Sequence, residues 1–319
     1  MKPSTVEEYL KAAASFATAA HLPDPRFSYD KYGMCVSKNY FPALQTWMNF
    51  LKKWDGPTEK AWSLDMTILA ALEKMAAPPT LPTSELACAI DAIVLGSYTG
   101  ARCSEYCKGT VRKGEPFATV PSNHYTREWG GFPIAFIAQD LTFLCAKHTV
   151  LTPDQAPLEA EYVSIRFRFD KGGGQNFSVR HFKRMPSLQF FCPVKTALRS
   201  LSRWRRLGSD QRFPLFCFHQ RQKGVQAIVD SKITHTIRTA VRKAYPDPSH
   251  TFRHNIHLFR THSVRVFACC TLIAAGLSDA QIEHKLRWSS DAWKTYIRES
   301  FAEVDKTSFL LFKDAHVTL

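Results

Sequence analysis

Over residues 161–170 apolar and polar side chains alternate. Val163, Ile165, Phe167 and Phe169 fall on one face and Ser164, Arg166 and Arg168 on the other. A period of two over that length is the pattern of a half-buried strand. Lys171-Gly172-Gly173-Gly174-Gln175-Asn176 then turns the chain, and residues 177–182 can return as the partner strand. This segment rules out an all-helical fold. Shorter β-like runs, PIAFIA from Pro133 and LTFLCA from Leu141, add to it, and FPLFCF from Phe213 is apolar enough to be buried.

Elsewhere the period is helical. Apolar residues recur three and four apart over residues 6–20, 40–53 and 61–76, then over 85–98, 194–207, 231–245, 261–275, 279–286 and 292–301. Proline-rich breaks separate the first three: LPDPRF, DGPTE and APPTLPTSE. The last ends in Ser84, a natural helix N-cap, and marks a domain boundary. The expected fold is mainly α with a small antiparallel β-sheet. A helical bundle (residues 1–84) precedes a larger domain (85–319). A chain of 319 residues, 45% hydrophobic and 13% aromatic, has the core for two domains and not the composition of a disordered one.

Charge divides along the same line. The formal net charge is +14. Residues 1–84 hold nine Lys/Arg against eight Asp/Glu, and residues 85–319 hold 33 against 20, so +13 of it sits in the second part. A strongly cationic domain attracts a polyanion, because each neutralised phosphate releases condensed counterions. No apolar run reaches the roughly 18 residues of a membrane span, and MKPSTVEEYLKAAASF lacks the apolar stretch of a signal peptide. Nine cysteines without a CxxC pair argue against a disulfide framework and for a reducing, intracellular setting.

Three distant segments carry chemistry. Thr99-Gly100-Ala101-Arg102-Cys103-Ser104-Glu105 puts an arginine at a helix break, with a carboxylate one turn on. Lys171 sits at the hairpin tip before three glycines, with Lys183 as its nearest rival. In the third segment His262 and Arg265 share a helical face. Ala275-Gly276-Leu277-Ser278, Ile282, Arg287-Trp288 and Tyr296-Ile297-Arg298 follow, Tyr296 being the only tyrosine after Arg265. Taken alone, Arg102 with Glu105 is an ordinary helical ion pair, and His262 a core histidine. Cys103 with Cys107, and His254 with His257 near His250, lack the second cysteine pair that would close a zinc site. The KGGGQN turn has no following Lys-Ser/Thr and is not a phosphate loop.

In this order the segments resemble the tyrosine recombinase/integrase family, with wording closest to Cre-type enzymes and a looser likeness to Crypton-type mobile elements. TGxRxSE resembles that family's first arginine box, and HSVRV through YIR its second. The sequence departs from the family at Arg287, where a glycine is customary, and in a Trp-to-Tyr gap of eight rather than nine. The resemblance implies site-specific strand cleavage and rejoining on double-stranded DNA. Arg102 and Arg265 would clamp the non-bridging oxygens of the scissile phosphate, since a guanidinium fork matches phosphate and keeps its charge. Trp288 would donate its indole N–H to them. Tyr296 would attack phosphorus and hold the strand as a 3′-phosphotyrosine. Lys171 would protonate the leaving 5′ oxygen, His262 would take or steer a proton, and Glu105 would orient Arg102 and His262. No cofactor and no metal are implied. The partners are duplex DNA and further copies of the chain in a tetrameric synapse. The apolar run Phe309-Leu310-Leu311-Phe312 either docks on a neighbouring protomer or packs on its own core. The alternatives are a type IB topoisomerase with the same chemistry, and a DNA-binding protein descended from such an enzyme without its activity.

Overall fold

The computed structural model describes residues 3–19, 24, 26–27, 59–78, 80–107, 135–169, 175–211 and 213–287. The chain divides into two compact units, Met1–Lys60 and Ala61–Leu319. In the first, α1 (Pro3–Ala19) occupies the stretch where the spacing predicts a helix over 6–20. The predicted helix over 40–53 lies outside the described residues.

The second unit opens before the proline-rich stretch. Residues 61–65 are not helical, because Asp65 caps α2 (Met66–Ala76) by accepting from the Ile68 amide at 2.8 Å. The segment before the cap is tied down where it stands. The Trp62 amide donates to the Leu258 carbonyl at 3.2 Å, and its ring meets Phe252 and Phe259 edge-on, at centroid distances of 5.3 and 5.9 Å. α2 buries Ile68, Leu69, Ala71, Leu72 and Met75 in the same core as the elements that follow. The stretch expected to be a domain boundary is fastened as well: Pro82 accepts from Arg203 Nε at 2.6 Å, and Thr83 from the His219 amide at 3.1 Å.

α3 (Glu85–Thr99) is the centre of the unit. Ser84 caps its start, and Cys88 through Gly96 are buried without a break. A helix apolar all round needs partners on every side. α3 packs against α6 (Pro193–Arg206), α7 (Asp230–Ala244) and α9 (Thr261–Ala274). Asp91, the one buried charge on α3, accepts from Arg199 Nε at 2.9 Å and from Arg203.

The predicted hairpin is present. β1 (Leu141–Leu144), β2 (Tyr162–Phe169) and β3 (Gln175–Lys183) form an antiparallel sheet in that order, with Val163, Ile165 and Phe167 buried. Polar Arg168 on the opposite face of β2 reaches Asp140 at 2.9 Å. Of PIAFIA, the described residues 135–138 form no strand. Ile137 makes one isolated bridge to Pro214, and a 3-10 turn, Ala138–Asp140, leads into β1. A second, two-stranded sheet, β4 (Cys217–Gln220) with β5 (Gly224–Ala227), continues from the apolar run at 213–218, of which Leu215, Phe216, Cys217 and Phe218 are buried. Short helices α4 (Cys103–Tyr106), α5 (Ala156–Glu159) and α8 (Thr251–His254), a 3-10 turn at Ile256–Leu258 and the closing α10 (Asp279–Leu286) complete the described elements. The chain is mainly α with small antiparallel sheets. The predicted helix over 292–301 falls outside the described residues, as does the apolar run at 309–312.

Candidate active site

The site is built on the end of α3. Gly100 ends that helix in the left-handed region (φ 55°), a conformation that costs glycine little. Its missing side chain matters too, since a Cβ here would overlap Leu286 Cδ2 and lie 3.7 Å from Ala268 Cβ. The turn therefore lets α9 and α10 close on the backbone of the Thr99–Arg102 segment. Gly100 offers its carbonyl to Arg265 Nη1 at 2.8 Å, which caps the carbonyl end of α3 with a cation. Arg265 is buried, and this contact uses one of its five N–H groups.

Arg102 is the N-cap of α4. Glu105, three residues on, turns back to accept from the Arg102 amide at 2.6 Å. Glu105 is itself buried. Tyr106, fully buried, donates from its hydroxyl to the Thr261 carbonyl at 3.2 Å, which ties α4 to the first turn of α9 beside His262. Burial pushes the Tyr106 phenol well up from its ordinary range, so it serves as a neutral donor. Asp230 at the start of α7 accepts from Thr261 Oγ1 at 2.5 Å and Cys103 Sγ at 3.2 Å, fixing the same corner from a third side. Arg260 opens α9 with its amide bonded to Ser263 Oγ at 3.1 Å, leaving half-buried His262 in the first turn.

The largest departure from sequence expectation is Arg287. It ends α10 at φ 57°, one of two non-glycine residues with positive φ among the described residues. That conformation costs an L-residue about 1–2 kcal/mol. Its Nη2 donates to both oxygens of Glu105 at 2.8 Å, and its guanidinium lies 3.5 Å from the centroid of the Phe167 ring. Arg180 on β3 holds the end of the same helix, donating to the His284 carbonyl through Nε at 3.1 Å and Nη2 at 2.7 Å. Burial lowers both Arg287 and Arg180 from their ordinary range. Glu105 opposes the shift of Arg287, and Arg102 adds to it. A guanidinium starts so far above neutrality that the cluster stays charged. Glu105 thus has Arg287 and Arg102 beside it, while Arg265 and Arg180 are held on the adjoining backbone at Gly100 and His284, an excess of positive charge suited to an anion.

Of the residues singled out in the sequence, Arg102, Glu105, His262 and Arg265 are described, and the ends of α3, α9 and α10 bring their segments to one corner. Lys171, Trp288 and Tyr296 lie outside the described residues. Lys183, the rival to Lys171, ends β3 as an exposed residue. Arg287, Arg180 and Phe167 were not legible as site residues. The signal for Arg287 was its place where a glycine is customary, which the positive φ accounts for.

No family model matches the chain, and no curated protein matches it. Among solved structures, a XerH site-specific recombinase bound to difH substrate is similar over 97% of this chain and 70% of its own, at 12% identity and TM-score 0.43. Two structures of the Tn1549 transposon integrase with circular intermediate DNA are similar at 14% and 15% identity, with TM-scores of 0.42 and 0.38. They cover 98% and 97% of this chain, and 80% and 79% of their own.

Proposed function

We propose that this chain is a DNA strand transferase of the tyrosine recombinase type, which cleaves and rejoins duplex DNA through a 3′-phosphotyrosyl intermediate. The observation that carries the reading is the meeting of the two arginine boxes: Arg265 is hydrogen-bonded to Gly100, two residues before Arg102, although the two segments are more than 160 positions apart. Two guanidinium groups on opposing helix ends are what a phosphodiester requires, because its negative charge repels a nucleophile until cations meet its non-bridging oxygens.

In this reading Arg102 and Arg265 hold those oxygens, with the indole N–H of Trp288 as a further donor. The Tyr296 hydroxyl attacks phosphorus and the 5′-oxygen leaves, taking its proton from Lys171. His262 steers the proton released by the tyrosine. Reversal by an incoming 5′-hydroxyl rejoins the strand. The N-terminal unit, Met1–Lys60, contributes a DNA clamp, and four protomers on two duplex sites exchange strands.

The test is trapping. A pool of nicked suicide duplexes of randomised sequence is incubated with the protein, and protein–DNA adducts are resolved after denaturation. The wild-type chain forms an adduct, Tyr296→Phe forms none, and Arg102→Ala or Arg265→Ala forms it about 10²–10³ times more slowly, the effect of losing about 2.7–4 kcal/mol of transition-state stabilisation. Duplex binding falls less than cleavage in the arginine variants. An adduct persisting in Tyr296→Phe, or equal loss of binding and cleavage in the arginine variants, overturns the assignment.

A further inference from the structure

We propose that Arg287 is a positioning residue which occupies Glu105 and so leaves the Arg102 guanidinium open to an anionic oxygen. The inference rests on the reading of Arg102 as a phosphate clamp and adds a device that the sequence motifs do not contain.

A carboxylate three residues beyond an arginine on a helix ordinarily pairs with it. Here the pairing is incomplete: Arg102 Nη1 stands 3.7 Å from Glu105 Oε1, beyond hydrogen-bond distance, and the Arg102 side chain keeps 31% exposure. The carboxylate is committed elsewhere. Both its oxygens accept from Arg287 Nη2 at 2.8 Å, and Oε2 also accepts from the Arg102 amide at 2.6 Å. Glu105 thus fixes the Arg102 backbone while Arg287 supplies its counter-charge. Arg287 is held for the task on two sides, by the Phe167 ring against its guanidinium and by the end of α10, which Arg180 secures at the His284 carbonyl. Were Arg287 a glycine, the helix would end without strain, but Glu105 would be left buried with Arg102 as its nearest cation. The carboxylate would close on Arg102 and compete with any anion for it.

The experiment compares wild type, Arg287→Gly, Glu105→Gln, Arg287→Gly/Glu105→Gln and Arg102→Ala. Glycine accepts the positive φ, so the helix end is preserved. The readout is the thermal shift of the full chain titrated with inorganic sulfate, counting only the component that Arg102→Ala abolishes, alongside adduct formation on the nicked duplexes. In Arg287→Gly the sulfate affinity and the adduct rate each fall about tenfold or more, as expected when a charged hydrogen-bond partner competes for the site. Glu105→Gln in that background restores both, because a neutral amide does not draw the guanidinium by charge. A merely structural role for Arg287 predicts no such rescue. If Arg287→Gly does not fold, Glu105→Gln alone decides the matter, by binding sulfate at least as tightly as wild type. Unchanged sulfate binding in Arg287→Gly, absence of rescue, weaker binding in Glu105→Gln, or a wild-type shift that survives Arg102→Ala overturns the proposal. Failure of wild type to form any adduct, with the sulfate pattern intact, counts against strand transfer and leaves the role of Arg287 standing.

Discussion

Gly100→Ala probes the corner on which the site is built. Two costs add. The backbone sits at φ 55°, where an L-residue loses about 1–2 kcal/mol relative to glycine. The new methyl would also overlap Leu286 Cδ2, and Leu286 is buried in a cluster with Ala268 and Cys269 of α9 and Ile282 of α10, so overpacking adds about 1–3 kcal/mol. The sum, about 2–5 kcal/mol, corresponds to a fall in melting temperature on the order of ten degrees for a unit of this size. Denaturant unfolding of the full chain, followed by fluorescence, measures it. A double-mutant cycle separates the parts. Leu286→Ala alone costs about 2–5 kcal/mol through its cavity, but together with Gly100→Ala it should cost less than the sum of the singles by about 1–3 kcal/mol, because the clash is gone and only the backbone strain remains. Because Leu286 precedes Arg287, the single Gly100→Ala should also slow adduct formation, and the double variant should recover part of the rate. Gly100→Ala within about 0.5 kcal/mol of wild type, or strict additivity in the cycle, would refute the packing argument.

Asp91→Ala should cost about 3–5 kcal/mol in denaturant unfolding, since it leaves the buried Arg203 guanidinium without its counter-charge. Glu85→Ala, which removes a half-exposed pair with Lys232 at 3.1 Å, should stay within about 1 kcal/mol of wild type. The chain should also lose stability in alkali: burial pushes Tyr98, Tyr245 and Cys269 up to about 12 from ordinary values of 10.0, 10.0 and 9.0. The native state therefore keeps protons that the unfolded chain gives up, so stability is full below about pH 9 and falls as pH rises toward 12. A melting temperature that is flat from pH 8 to 11 would contradict that sign.

The helices of the second unit were legible because their apolar period is long and their ends are marked. Ser84 caps α3, and Ser278 with Gln281 forms the box that opens α10. The hairpin was legible from its period of two. The boundaries that moved did so for local reasons. Asp65 was available as a cap inside the span read as one helix, and the prolines from 78 to 82 looked like a domain boundary because the arginine that binds Pro82 lies 121 positions away. β4 and β5 are four residues each, too short to display a period of two, and are joined by Arg221-Gln222-Lys223 with Gly224 at φ 67° as the glycine of the turn. The site divides the same way. Arg102, His262 and Arg265 sit in local patterns that can be read from sequence alone. The partnership of Arg287 with Glu105 spans 182 positions and depends on a left-handed backbone, neither of which leaves a local trace.

α3 is sheathed along most of its length, and the Arg102 turn hangs from its last residue. A rigid rod transmits displacement with little loss, so a substitution at buried Ile90 or Ile93 would move the Gly100–Arg102 turn almost as far as it moves itself. Amides along this rod should be among the slowest in the chain to exchange with deuterated solvent. Variants that swell its packing would be mistaken in a functional screen for damage to the chemistry.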